Sequence, residues 1–262
     1  GVTENFFDVG GHSLRATTLV AKIHKVMNVA IPLRDIFKYP TIEQLAQLIA
    51  SMEHNTYASI PVIENSEYYL VSSAQKRLYI LSHLEGGELS YNMPGIMMLE
   101  GSLDKDRVEA AFQQLAQRHE TLRTGFELVN GEPMQRVHDE VSFKLEYWET
   151  NLEEAEPIIE GFVRAFDLKQ APLLRLGLLS VDVNQYILLF DMHHIISDGV
   201  SMGVLMQEFV QLYRGEELSP LRIQYKDYAA WQQAGMQSEW MSKQEAYWMK
   251  VFAGEIPVLD MP

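Results

Sequence analysis

The 262-residue sequence contains no cysteine, which excludes thiol nucleophiles, disulfides and thiolate metal sites together. Basic residues are also few: 21 Lys and Arg stand against 36 Asp and Glu, a formal net charge of -15. Nucleic-acid binders carry a basic face that releases counterions, so no nucleic acid is expected as a partner. The acidity is read as solubility. No apolar run approaches the ~18–20 residues of a membrane-spanning helix, so no membrane is expected either. The start, Gly1-Val2-Thr3-Glu4, has neither a basic region nor an apolar signal core. These absences point to a cytoplasmic protein. An initiator Met is lacking too, so the chain is expected to be processed or cut from something longer. Hydrophobic residues are plentiful, at 47%, enough for a proper core.

Three regions differ in pattern. Residues 1–50 read as a small all-α unit. Leu14, Leu19, Val20, Ile23, Val26 and Met27 recur at helical spacing from Ser13, and Asn28 and Pro32 end that helix. Thr41 and Gln44 are placed as a capping box for a second helix with Ile42, Leu45, Leu48 and Ile49 inward. Two such helices bury too little to stand alone, so a missing first helix is expected before Gly1. Residues 51–69 have no period of either kind and read as a linker. Residues 70–262 alternate between types. Helices are expected over 74–84, 104–118, 153–166 and 201–213 and around Tyr247 and Trp248. Strands are expected over 93–99, 126–129, 134–137, 173–179 and 186–192. Asn130-Gly131 is a strong hairpin signal, and the apolar run 186–192 suits a central strand covered on both faces.

Two segments carry chemistry. Gly10-Gly11-His12-Ser13 joins a glycine turn to a helix start, where the Ser13 hydroxyl would be exposed. On the residues alone a plain N-cap serine is the favoured reading, since Ser is a leading N-cap. A hydrolase elbow is excluded, because the last glycine of Gly-x-Ser-x-Gly is replaced by Arg15. The second segment is Asp191-Met192-His193-His194-Ile195-Ile196-Ser197-Asp198-Gly199, at the end of the long apolar run. Strand alternation turns His193 and His194 to opposite sides, one toward a cavity and one into the packing. Gly199 would allow the turn and close backbone approach. Asp198 would neutralise a cation or orient a ring. Adjacent histidines lack the i, i+4 spacing of a helical zinc site and no thiolate helps, so no metal is expected. A Ser-His-Asp triad through Ser197 or Ser201 stays open, because sequence alone sets no serine oxygen against a ring.

These segments resemble known families. Phe6-Phe7-Asp8-Val9-Gly10-Gly11-His12-Ser13-Leu14 is similar to the attachment motif of peptidyl carrier proteins, over residues 1 to about 50. The resemblance implies a 4′-phosphopantetheine arm covalently held on Ser13, added by a phosphopantetheinyl transferase, whose thiol carries an amino acid or peptide. Further on, His193-His194-Ile195-Ile196-Ser197-Asp198-Gly199 resembles the His-His-x-x-x-Asp-Gly signature of condensation domains of non-ribosomal peptide synthetases. Three other stretches match that family in order: Ser73-Ala74-Gln75-Lys76-Arg77-Leu78-Tyr79, Arg118 to Phe126, and Tyr225 to Trp231. The wording of the motifs is similar to bacterial cyclic-peptide synthetases.

What the resemblance implies is a carrier followed by the first lobe, and a little of the second, of a chloramphenicol-acetyltransferase-like α/β fold. In it an acceptor amine attacks a donor thioester, the implied partners being adjacent adenylation and carrier domains with carrier-tethered substrates. His194 is the implied base or positioning group. His193 is a packing residue, Asp198 is structural with Arg77 as its partner, and Gly199 offers an N–H to the oxyanion or clears the tunnel. An epimerisation domain shares the histidine pattern, but Ile195-Ile196-Ser197 and the Arg118 to Phe126 motif favour condensation with an L-configured donor, and the Gly11-His12-Ser13 form suits a carrier with no epimerisation partner. A catalytically silent docking module is the third reading.

Overall fold

The structure, a computed structural model, describes residues 1–53, 59–236 and 238–254. It divides into two compact units between Ser59 and Ile60. Residues 54–58 of the expected linker lie outside the described residues. Residues 60–69, read as the end of that linker, belong to the second unit. There Ile60 O accepts from Arg222 at 3.0 Å and Ile63 N–H donates to Asp227 Oδ1 at 3.0 Å.

The first unit holds α1 (Ser13–Met27), α2 (Leu33–Lys38) and α3 (Ile42–Ser51). As the sequence predicts, α1 stops at Asn28, which takes the left-handed conformation at φ 54° and donates its N–H to His24 O. Thr41 caps α3, accepting from Gln44 N–H at 3.2 Å. The core is Ala16, Val29, Ile31, Ile36 and Leu45, with Leu19, Val20 and Ile23 packed against it. Leu14, Val26, Met27 and Ile42, expected inward, are exposed instead. Leu14 lies two residues from buried Ala16, and positions two apart on a helix do not share a face.

The second unit begins with β1 (Tyr69–Leu70) and α4 (Ser73–Ser82). After β2 (Asn92–Glu100) and α5 (Lys105–Arg118) come a 3-10 turn at Glu120–Arg123 and the strands β3 (Thr124–Val129), β4 (Glu132–Val137) and β5 (Leu145–Glu149). Then follow α6 (Ala155–Phe162), β6 (Leu174–Asp182), β7 (Gln185–His193), α7 (Gly199–Tyr213), α8 (Tyr225–Met236) and α9 (Glu239–Val251). A small sheet has the order β1-β4-β3. Its hairpin turns through Asn130 and Gly131 at φ 54° and 83°, the pair of positive angles a two-residue I′ turn requires.

The larger sheet has the order β2-β7-β6-β5. Strand β7 is central, and alternation sorts its side chains. Leu188 and Met192 join Val108, Phe112 and Leu115 of α5 and Leu205 and Phe209 of α7 in the main core. Ile187 and Leu189 pack with Ala155 and Phe162 of α6 on the opposite face. Pro94 is tolerated in β2 because that strand lies at the sheet edge. Gly95 beside it pairs with Phe190, whose ring occupies the space a side chain would need: a Cβ there would lie 1.9 Å from the ring. Helix α6 ends at Phe162, four residues before the expected Phe166. The carbonyls of Arg164 and Ala165 accept hydrogen bonds from the Arg175 side chain instead of continuing the helix. Among the described residues no helix is long and apolar enough to cross a membrane.

Candidate active site

Ser13 is the first residue of α1, and the N-cap is His12, which makes no side-chain capping bond. The Ser13 hydroxyl is exposed, so it does not cap the helix as the residues alone suggested. The turn before it is fixed from several directions. Gly10 takes φ 92°, which favours glycine. At Gly11 a Cβ would lie 2.3 Å from Phe6 O and 2.4 Å from the Phe6 ring. Gly10 O accepts from Arg15 Nη1 at 3.0 Å, and Phe6 N–H donates to Pro40 O at 2.7 Å. Both glycines are therefore steric requirements, and the turn presents Ser13 outward.

The two histidines at the end of β7 do turn apart. His193 is 1% exposed. Its Nδ1 accepts from Ile195 N–H at 3.1 Å, so the ring hydrogen is on Nε2, which reaches Ser82 Oγ at 3.2 Å. Ser82 in turn donates to Leu78 O at 2.8 Å. Burial first, and then the neighbouring His194, push the His193 pKa from 6.5 down to about 4. Protonation therefore favours the unfolded chain. The His193 contribution to stability is fully present above pH 6.5 and is lost as pH falls toward about 4. The slope in that window is at most about 1.4 kcal/mol per pH unit. Urea melts across it are expected to show this slope in the wild type and a shallower one in His193→Asn. Parallel curves would remove His193 as the source.

His194 is exposed. Its backbone N–H donates to Tyr91 O at 2.8 Å, and its Nδ1 donates to Ser197 O at 2.7 Å. With Nδ1 carrying the hydrogen, Nε2 keeps its lone pair. A cavity of about 470 Å³ is lined by His194, with Leu78 of α4, Val204 and Leu205 of α7, and Ile223 and Tyr228 beyond it. A ring with an accepting nitrogen at the wall of a mostly apolar cavity can take a proton from a group lodged there.

The other expected site residues need correction. Asp198 is the N-cap of α7 and does not pair with Arg77. Its Oδ1 accepts from Ser201 N–H at 2.8 Å and Ser201 Oγ at 2.7 Å. Those bonds, the backbone one first, hold its carboxyl below the usual range. Arg77 is on the exposed side of α4. The opening motif still reaches the histidine loop, through Gln75. Buried at 2% exposure, Gln75 bonds Gln135 Oε1 at 3.1 Å and approaches Ile195 O at 3.5 Å through its Nε2. Gly199 needs no positive φ, and an added Cβ would meet nothing within 4 Å, so the turn does not depend on it. Its N–H belongs to the first turn of α7, where amides lack intrahelical partners. Ser201 is committed to Asp198 and does not complete a triad with His194.

Composition and spacing did not disclose the polar network at the cavity wall, which His119 and Gln224 line. Arg118 grips Glu208 through two bonds, of 2.9 and 3.2 Å, and His119 Nε2 lies 2.6 Å from the same carboxylate. Burial raises the Glu208 pKa, but these partners outweigh it and the net shift is downward. Gln224 donates to Arg118 O at 2.9 Å and accepts from Glu120 N–H at 3.1 Å. Lys226 closes on Glu120 at 3.0 Å. The stretch Arg118 to Phe126 thus fastens α5, α7 and α8 together and fixes the cavity walls. Only the partners of such a network are missing from sequence, since they lie on elements distant along the chain.

Residues 65–262 match the condensation domain family, and residues 1–49 match the phosphopantetheine attachment site family. Over all 262 residues the chain is 50% identical to tyrocidine synthase 3 of Brevibacillus parabrevis, of which it covers 4%. It is 47% identical to gramicidin S synthase 2 of Brevibacillus brevis, covering 6%. The chain thus spans a small part of the curated relatives it matches. Among solved structures, the X-domain in complex with OxyB from teicoplanin biosynthesis aligns with a TM-score of 0.70. That match has 25% identity and covers 78% of this chain and 48% of that one. The first condensation domain of the calcium-dependent antibiotic synthetase, in complex with a substrate analogue, aligns at 0.63. It has 18% identity and covers 74% of this chain and 51% of that one, a likeness of fold alone.

Proposed function

The chain belongs to the condensation domain family and carries a phosphopantetheine attachment site, and from that premise we propose that it is part of a non-ribosomal peptide synthetase that joins a donor thioester to an acceptor amine. We divide it as a carrier region at residues 1–50, a linker, and a chloramphenicol-acetyltransferase-like lobe whose packing begins at about residue 60. Its partners are adjacent carrier and adenylation domains and a phosphopantetheinyl transferase, and its compartment is the cytoplasm. The single observation that carries this reading is the His194 ring at the cavity wall, held through its Nδ1 by Ser197 O.

Ser13 fits the attachment role. Its hydroxyl is exposed at the start of a 15-residue helix, whose N-terminus favours a linked phosphate. The group supplies the thiol that this chain lacks. At the second site, tethering has already concentrated both substrates, so positioning supplies much of the rate. The acceptor amine forms the new C–N bond, and its proton passes to His194 Nε2. The C–S bond breaks, and His194 returns the proton to the departing thiolate. The Ser197 carbonyl holds Nδ1–H throughout, which leaves Nε2 as the accepting nitrogen.

The experiment is product analysis in the intact synthetase, with donor and acceptor loaded on their carriers. The expected product is an amide with the donor configuration retained. An inverted donor without an amide supports the epimerisation reading. No product, with a binding partner retained, supports a catalytically silent docking module.

A further inference from the structure

Three residues behind the histidine loop take no part in the chemistry above. Asp191 is fully buried in β7, three residues before His194. Burying a carboxylate is costly unless it is paired and hydrogen-bonded. Arg175, its partner in the ladder with β6, lies 2.9 Å away. The guanidinium makes further contacts. It donates to Arg164 O and Ala165 O at 2.6 Å each and lies over the Phe166 ring at 3.7 Å from its centroid. From the other neighbouring strand, Asn92 Nδ2 donates to Asp191 Oδ2 at 2.8 Å and to Arg164 O at 2.9 Å. Asn92 opens β2 opposite His193. The residue before it is Tyr91, whose carbonyl receives the His194 N–H.

We propose that Arg175, Asp191 and Asn92 are positioning residues for His194, a clamp that fixes the start of β2 against the end of β7 and so sets the carbonyl on which the His194 backbone hangs. None of the three lines the cavity. The clamp joins β2, β6, β7 and the stretch after α6 at the point where the chain leaves the sheet for the loop. As a device for stability alone it is a poor one, because apolar residues of similar volume do as well as a buried ion pair. Its geometry accounts for it better: Arg175 and Asn92 both contact Asp191 and Arg164 O, which leaves the first residue of β2 one place to sit.

The proposal rests on the reading of His194 as the group that serves the amine, and its test separates the two. Single-turnover amide formation is measured in the intact synthetase, with loaded donor and acceptor carriers, for wild type, Asn92→Ala, His194→Ala and the double variant. Asn92→Ala is expected to lower the rate about tenfold while leaving the apparent affinity for the acceptor carrier unchanged. In the His194→Ala background it is expected to cost less than about twofold, since a residue that acts through the imidazole has nothing left to position. Equal losses in both backgrounds, or no loss in the wild-type background, overturn the clamp. A fully active His194→Ala overturns the reading of His194 and the clamp with it. Arg175→Lys keeps the charge but not the fork that reaches Asp191 and two carbonyls. It is expected to give the same non-additive pattern, and it carries the cycle if Asn92→Ala does not fold.

Discussion

His194→Ala is expected to lower amide formation by about 10²–10⁴-fold in the intact synthetase, the range associated with a positioned general base, while phosphopantetheine loading of the carrier continues at the wild-type rate. The size of the loss follows from the ring's single free function. Nδ1 is committed to Ser197 O at 2.7 Å, so Nε2 alone can serve the amine. His119, also on the wall, has its Nε2 at Glu208. His194→Gln separates two roles: it offers an amide of similar reach but no base. Recovery of rate in the Gln variant assigns positioning, and continued loss assigns proton transfer. Equal rates in wild type and His194→Ala would remove both.

Ser13→Ala is expected to abolish the phosphopantetheine adduct completely, seen as the disappearance of the mass increase after treatment with a phosphopantetheinyl transferase and coenzyme A. No nearby side chain can replace the hydroxyl. Thr17 and Thr18 donate to the helical carbonyls of Ser13 and Leu14. The loss should not come from unfolding. Ser13 is exposed and gives no cap to α1, so its removal is a surface change, within about ±0.5 kcal/mol. Thermal melts should therefore coincide. An adduct that survives in Ser13→Ala would move the attachment elsewhere in the chain. Together the two variants separate the halves of the proposal: one stops loading, and the other permits loading and stops transfer.

Where local chemistry decides the outcome, the fold was legible. Asn130-Gly131 announced its hairpin because only positive φ closes a two-residue loop of that twist. Asn28 ended α1 for a similar reason. The opposed directions of His193 and His194 followed from strand alternation, and the structure gives one buried and one exposed ring. The short elements escaped notice. Helix α2 has 6 residues and β5 has 5, too few for a period to stand out. The early end of α6 depends on Arg175, 13 positions after Phe162, which no local pattern contains.

The Arg77–Asp198 expectation came from resemblance, while the sequence held a rival signal. Asp198 three residues before Ser201, at a helix start, is an N-cap arrangement, and that is how the carboxylate is used. Gln75 is the far end of a capping box with Ser72, both bonds of it present. Its reach to Ile195 was not legible, because that partner lies 120 positions away.

The histidine doublet has the look of redundancy, two copies of one group side by side. The hydrogen bonds make them complements instead. One ring bears its hydrogen on the nitrogen far from the backbone and the other on the near one. A substitution that inactivates His194 therefore cannot be compensated by its neighbour, however similar the two appear on paper. Exchanging their surroundings would take a shift of the strand by one residue, which would turn the whole of β7 inside out.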